Sequence, residues 1–258
     1  MYRERQKVRA AFFDVDGVLK DYSPQGLAQR FEEEAIEGLS KLNESGIIIG
    51  YASGKCCDYL FECASLSGTL YENSIIIGEN GGIISLNGSK IVYDRYMEDL
   101  YKARKQLERY KNSNNIYEIP SKKGVCNIRE EDKESMITLL FDPREKEIVE
   151  RFLYENLDCF PNLHILFGSC YVDINQKGCN KGYAVQKACE LLGLPLSDVA
   201  AVGDGNNDIP MLDLVKHPAC PSNSKENIKE LVRKRNGYVA SYPIGKGTKE
   251  ICLEYLLR

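Results

Sequence analysis

The sequence predicts an α/β fold in which a parallel β-sheet is covered by helices on both faces and interrupted by a smaller α+β insert. Three observations carry this reading. Short apolar runs at 7–15, 47–52, 74–78 and 199–203 have the length and composition of strands buried on both faces. Segments with apolar residues at helical spacing alternate with such runs, as parallel pairing requires. The alternation lapses after the run at 74–78 and its GENGGII, and resumes after Gly178.

Taken in order, 7–15 (KVRAAFFDV) is a strand that stops at acidic residues and Gly17. Across 27–45, Leu27, Phe31, Ala35, Leu39 and Leu42 share one helical face, and Gly46 is placed to end that helix. A second strand at 47–52 and a third at 74–78 follow, the latter leading into GENGGII. The runs 83–86 and 91–93 about Asn87-Gly88 read as a hairpin that leaves the first domain. The insert then reads as a helix at 97–110, a polar loop at 111–124, strands at 125–129 and 135–141, a helix at 144–156, and strands at 163–167 and 171–174. After it come helix 181–192, strand 199–203, helix 208–214, strand 217–220, and helices 225–232 and 246–257 on either side of a short strand near 238–240. These assignments give a discontinuous core domain, 1–83 with 177–258, and an insert, 84–176.

With 258 residues and 43% hydrophobic content the chain can fill a substantial core. Net charge is −4 and the Lys and Arg residues are scattered, so no nucleic-acid partner is expected. The start, MYRERQKVRA, is charged and leads into only a short apolar run, and nothing approaches the ~18 apolar residues of a membrane span. A cytoplasmic protein with no membrane partner is the expectation. The ten cysteines are dispersed, and Cys56, Cys57 and Cys63 form no CxxC spacing, which favours free thiols over a zinc site.

Asp14-Val15-Asp16-Gly17 places two carboxylates just past a buried strand, where side chains can converge. Two acids with different neighbours can divide the tasks of nucleophile and proton carrier; alone, such a pair also reads as a helix cap or a solvated turn. Gly203-Asp204-Gly205-Asn206-Asn207-Asp208 repeats the design after another apolar strand, and Asp204 and Asp208 supply the hard oxygen donors that Mg²⁺ prefers. One such loop is a plain turn with a capping Asp208; two matching ones are not explained that way. Ser53-Gly54 ends the second strand with a hydroxyl and backbone N–H groups suited to a phosphoryl oxygen. Lys181 opens a helix, where it is either a surface lysine or a cation for a transferring phosphoryl. Lys122, Lys123, Arg129, the Gly168-Ser169 turn and Tyr171 could reach a substrate carboxylate or hydroxyl, and each also reads as surface. His164 and His217 read as packed or solvated.

DVDGVL, the strand-terminal SG, the lysine and GDGNND resemble, in order and context, the motifs of the haloacid dehalogenase superfamily, and the resemblance spans nearly the whole chain. It implies a Rossmann-like core carrying a type IIB cap of the Cof-like branch, which also often shows the GENGG found at Gly78 to Gly82. It implies that Asp14 is the nucleophile and Asp16 the general acid and base, and that Ser53 and Lys181 hold the phosphoryl group, with Gly54, Asn80 and Asn207 beside it. Mg²⁺ would be bound by Asp14, the Asp16 carbonyl and Asp204, with Asp208 in support. The expected reaction is hydrolysis of a small phosphomonoester through an aspartyl phosphate, by a monomer or homodimer. ACPSNSKENIKE and the compact insert resemble archaeal phosphoglycolate phosphatases, so phosphoglycolate or a sugar phosphate is the expected substrate. A phosphomutase of the phosphomannomutase type would share these residues, and a non-catalytic phosphometabolite sensor could use the same fold. Val18 and Lys55 stand where the family commonly has Thr and often Arg.

Overall fold

The structure is a computed structural model that describes residues 8–22, 27–114, 116–121 and 124–258. It divides into two compact units, Met1–Ile91 with Asn180–Arg258, and Val92–Cys179. The first unit begins β1 (Ala10–Phe13), α1 (Glu33–Glu44), β2 (Ile48–Ala52), α2 (Cys57–Leu66), β3 (Ile75–Gly78), β4 (Ile83–Leu86) and β5 (Ser89–Val92). The second unit holds α3 (Met97–Glu108), β6 (Ile116–Ser121), β7 (Gly124–Glu131), β8 (Met136–Leu140), α4 (Lys146–Leu157), β9 (Leu163–Phe167) and β10 (Tyr171–Gln176). The chain then adds α5 (Lys181–Leu192), β11 (Val199–Val202), α6 (Ile209–Leu214), β12 (His217–Cys220), α7 (Glu226–Lys234), β13 (Tyr238–Val239) and α8 (Ile244–Ile251) to the first unit.

The core sheet runs β13-β12-β11-β1-β2-β3-β4-β5. It is parallel from β13 to β3, and β4 joins β3 antiparallel. Successive residues of a strand point to opposite faces, so the apolar runs split between two cores. Phe13, Ile49, Tyr51 and Val202 pack with Leu39, Leu42, Leu60 and Ile251 on one face. Phe12, Ile75, Ile77 and Ala201 pack with Val185, Ala188, Leu212 and Ile228 on the other. Burying Phe12 and Phe13 contributes about 1.5–3 kcal/mol each. Gly50 makes room for the first of them: a Cβ there would lie 2.3 Å from the Phe12 ring.

Three readings are corrected. The hairpin taken as the start of the insert is β4 and β5, which extends the core sheet, so the division falls after Ile91 and not at 83/84, and after Cys179 and not at 176/177. Ladder hydrogen bonds to β3 hold it there, and a hairpin's own sequence does not say which sheet edge it will join. The polar loop expected at 111–124 contains β6, whose Tyr117 and Ile119 are buried and which pairs with β7 from Ile116↔Arg129 onward. Helix α2 was not anticipated; its buried Tyr59, Leu60, Cys63 and Ala64 lie in a segment apolar enough to blur helical periodicity.

In the second unit the sheet order is β6-β7-β8-β10-β9, all pairs antiparallel. Ile128, Ile137, Leu139, Val172 and Ile174 pack with Leu100, Leu107, Val149 and Leu153 of α3 and α4 in a separate core. Among the described residues no helix is long and apolar enough to cross a membrane.

Candidate active site

In the parallel register Phe13 lies beside Val202 and Tyr51, so Asp14, Gly203-Asp204 and, after Ala52, Ser53 leave the sheet at one carboxyl edge. That edge is where open α/β sheets bind ligands. The Asp14 N–H donates to the Val202 carbonyl at 2.9 Å, and its carboxylate accepts from the Val15 N–H at 2.7 Å. The chain then folds back at Gly17, whose φ is +84°. After β11, the Asp208 carboxylate accepts from the N–H groups of Asp204 and Gly205, each at 2.9 Å. Only glycine fits at 203, since a Cβ there would lie 2.5 Å from the Asp208 side chain.

Helix α5 delivers Lys181. The Asn180 side chain caps its start by accepting from the Tyr183 N–H at 2.9 Å, and Gly193, with φ 62°, ends it. The Lys181 ammonium is fully buried, 2.9 Å from Asp14 Oδ1 and 2.6 Å from Asp208 Oδ1. Asp14, Asp204 and Asp208 each bring one oxygen into a group lying within 4.8 Å of one another.

Burial and the nearby charges of Asp208 and Asp204 push the Asp14 carboxyl well above its ordinary range, against the pull of Lys181. Burial and Asp208 likewise raise Asp204 to about 6. Burial would lower Lys181, yet the carboxylates of Asp14 and Asp208 more than reverse it, so the ammonium holds its proton more firmly than usual. Three buried carboxylates thus face one buried ammonium. Such an excess of negative charge suits a hard divalent cation, for which the all-oxygen donor set fits.

The phosphate-binding candidates also come together. The Ser53 N–H donates to Ile77 O at 2.9 Å, and the Asn80 N–H to Ser53 O at 3.0 Å. The Asn207 amide donates to Asn80 Oδ1 at 3.3 Å, and Gly54 lets Asn80 approach, a Cβ there lying 3.2 Å from Asn80 Oδ1. Glu79 and Asn80 both adopt φ 54°, a left-handed pair uncommon outside glycine. The Asp16 side chain stands outside the carboxylate group and pairs instead with Lys20, which is buried.

Of the other candidates, Arg129 lies on β7 and pairs in register with Leu140, while Tyr171 begins β10, its carbonyl accepting from the Gly168 N–H at 2.8 Å. Lys122 and Lys123 lie outside the described residues. His164 sits on β9, and His217 opens β12 with a ring nitrogen 3.1 Å from Ser197 O.

Sequence reading missed Lys20, Tyr22, Asn223 and Thr248. The Tyr22 hydroxyl donates to Asp204 Oδ2 at 2.9 Å, Asn223 donates to Gly17 O at 2.9 Å, and Thr248 to Val18 O at 2.7 Å. The spacing of Lys20 four residues after Asp16 was a usable signal. The other contacts span 182, 206 and 230 residues and leave no local trace.

The chain belongs to the haloacid dehalogenase-like hydrolases, whose family model matches residues 97–238. Among curated proteins it is similar to the phosphoglycolate phosphatase of Thermoplasma volcanium, 26% identical over 95% of this chain and 96% of that one. The phosphoglycolate phosphatase of Methanospirillum hungatei is 28% identical over 96% and 97% of the two chains. Among solved structures, the Thermoplasma acidophilum protein 0175 matches with a TM-score of 0.69 at 24% identity, covering 98% of this chain and 100% of its own. The phosphatase BT1666 from Bacteroides thetaiotaomicron matches with a TM-score of 0.70 at 19% identity, covering 99% and 97%. These two likenesses show the fold.

Proposed function

We propose that this haloacid dehalogenase-like phosphatase is Mg²⁺-dependent and hydrolyses a small phosphorylated metabolite, phosphoglycolate or a sugar phosphate, through an aspartyl phosphate on Asp14. The observation that carries the reading is the buried trio Asp14, Asp204 and Asp208 with the buried ammonium of Lys181 paired to Asp14 and Asp208. The names of the curated relatives support phosphoglycolate as the first substrate to test.

In this reading Asp14 attacks phosphorus in line, forming the acyl phosphate bond as the ester P–O bond breaks. Asp16 gives a proton to the leaving alkoxide and later takes one from the water that cleaves the acyl phosphate, which regenerates Asp14. Lys181 aims the Asp14 carboxylate and offsets charge on the transferring group, while Asp208 holds Lys181 and the backbone of Asp204 and Gly205. Ser53, Gly54, Asn80 and Asn207 offer hydroxyl, N–H and amide donors to the phosphoryl oxygens. When bound, Mg²⁺ would be held by Asp14, the Asp16 carbonyl and Asp204, with Asp208 in support, and would neutralise the charge that otherwise repels the phosphate dianion.

The test is phosphate release from phosphoglycolate, sugar phosphates and p-nitrophenyl phosphate, with Mg²⁺ or EDTA, for the wild type and Asp14→Asn. Release that needs Mg²⁺ and disappears in Asp14→Asn is the expected result. Release that survives EDTA or the substitution would sink the mechanism.

A further inference from the structure

The three carboxylates of the site are not held alike. Asp14 is fixed by the Val15 N–H and Lys181, and Asp208 by two backbone N–H groups and Lys181. Among the described residues, the Asp204 carboxylate has one hydrogen-bond donor, the Tyr22 hydroxyl, at 2.9 Å from Oδ2. The Gly17 backbone also lies against this oxygen, since a Cβ on Gly17 would lie 2.3 Å from Asp204 Oδ2. Tyr22 itself is 62% exposed, yet its hydroxyl is turned onto a carboxylate that is only 6% exposed. A tyrosine on the surface has water for its hydroxyl, so this direction is a specific contact. It ties the chain after the Asp14 strand to the loop after β11.

We infer that Tyr22 is a positioning residue for the divalent cation, its hydroxyl setting the rotation of the Asp204 carboxylate so that this side chain is presented as a ligand. The inference rests on the reading that Asp14 and Asp204 hold Mg²⁺. Groups that hydrogen-bond a ligating carboxylate tune metal affinity by roughly 10–100-fold. Without the hydroxyl, the Asp204 carboxylate loses the one hydrogen-bond donor it has among the described residues and must be oriented by the cation itself, which weakens binding.

The experiment is Mn²⁺ binding, followed by the electron paramagnetic resonance signal of free Mn²⁺, to the metal-stripped wild type, Tyr22→Phe and Asp204→Asn. Phenylalanine keeps the ring and removes only the hydroxyl, and the unfolding midpoint in EDTA checks that the fold is retained. The expected result is that Tyr22→Phe raises the dissociation constant roughly 10-fold and Asp204→Asn raises it further. A rise of less than about fivefold, or tighter binding, in Tyr22→Phe overturns the inference; if Asp204→Asn still weakens binding, the magnesium reading stands. Mn²⁺ binding absent from the wild type, or unchanged in Asp204→Asn, overturns both.

Discussion

Asp14 is in an uncomfortable place by design of its surroundings: buried, beside two other carboxylates, and compensated by one shared ammonium. Asp14→Asn removes a charge from that group while keeping its shape. Phosphate release should fall on the order of 10³-fold or more, and the metal-free protein should melt roughly 2–4 °C higher, the change expected for about 1 kcal/mol in a chain of this size. Calorimetry in EDTA would check this, and a lower midpoint would mean that the Lys181 pairing outweighs the repulsion. Lys181→Met does the opposite, leaving Asp14 and Asp208 buried without their cation. A loss of about 3–5 kcal/mol in denaturant unfolding at neutral pH is expected. Asp204 sets a pH dependence. Its carboxyl is raised in the folded state to about 6 from 3.8, so the folded form binds the proton more tightly than the unfolded chain. The resulting stabilisation is complete below pH 3.8 and is lost as pH rises through about 6, amounting to roughly 3 kcal/mol across that window. Stability of the metal-free protein should therefore decline between those values, while cation affinity, which requires the carboxylate form, should increase. Unfolding curves and Mn²⁺ titrations on both sides of pH 6 would show it.

At the scale of elements, the site depends on loops and helix ends that approach without side chains between them. Gly182 follows Lys181 on α5, and a Cβ there would lie 2.5 Å from the Pro210 carbonyl at the start of α6. Gly182→Ala should cost about 1–3 kcal/mol and lower activity by moving Lys181, both measurable by urea unfolding and phosphate release. An unchanged rate would show that α5 can shift without disturbing its first residue. Helix α5 was expected at 181–192 and forms over those residues, with Asn180 capping its start and Gly193 ending it. Strand β6 was not: IYEIPS contains proline and lies in a polar stretch, and its partner β7 supplies the hydrogen bonds that make it a strand. The same holds for β4 and β5, whose hairpin character was visible but whose attachment to β3 was not.

Over the whole molecule, two units with separate cores should respond differently to the cation. Mg²⁺ added to the metal-free protein should slow amide exchange in the loops after β1 and β11 and leave β8 of the second unit unchanged, as hydrogen–deuterium exchange by mass spectrometry would report. Slowing that appears first in β8 would place the binding elsewhere. What the chain encodes locally was sufficient for the class of fold, for the acidic loops that end β1 and β11, and for the glycines that let those loops turn. Apolar period and turn chemistry act within a few residues, so they can be read without a partner. Only the tertiary structure decided that Lys181 is buried between two carboxylates, that Asp16 turns to Lys20, that Tyr22 holds Asp204, and that the β4–β5 hairpin extends the core sheet. All but the Asp16 pairing are choices of partner made when strands take their order in the sheet, bringing together groups as far apart as 182 residues, and local patterns specify a buried face without naming what covers it.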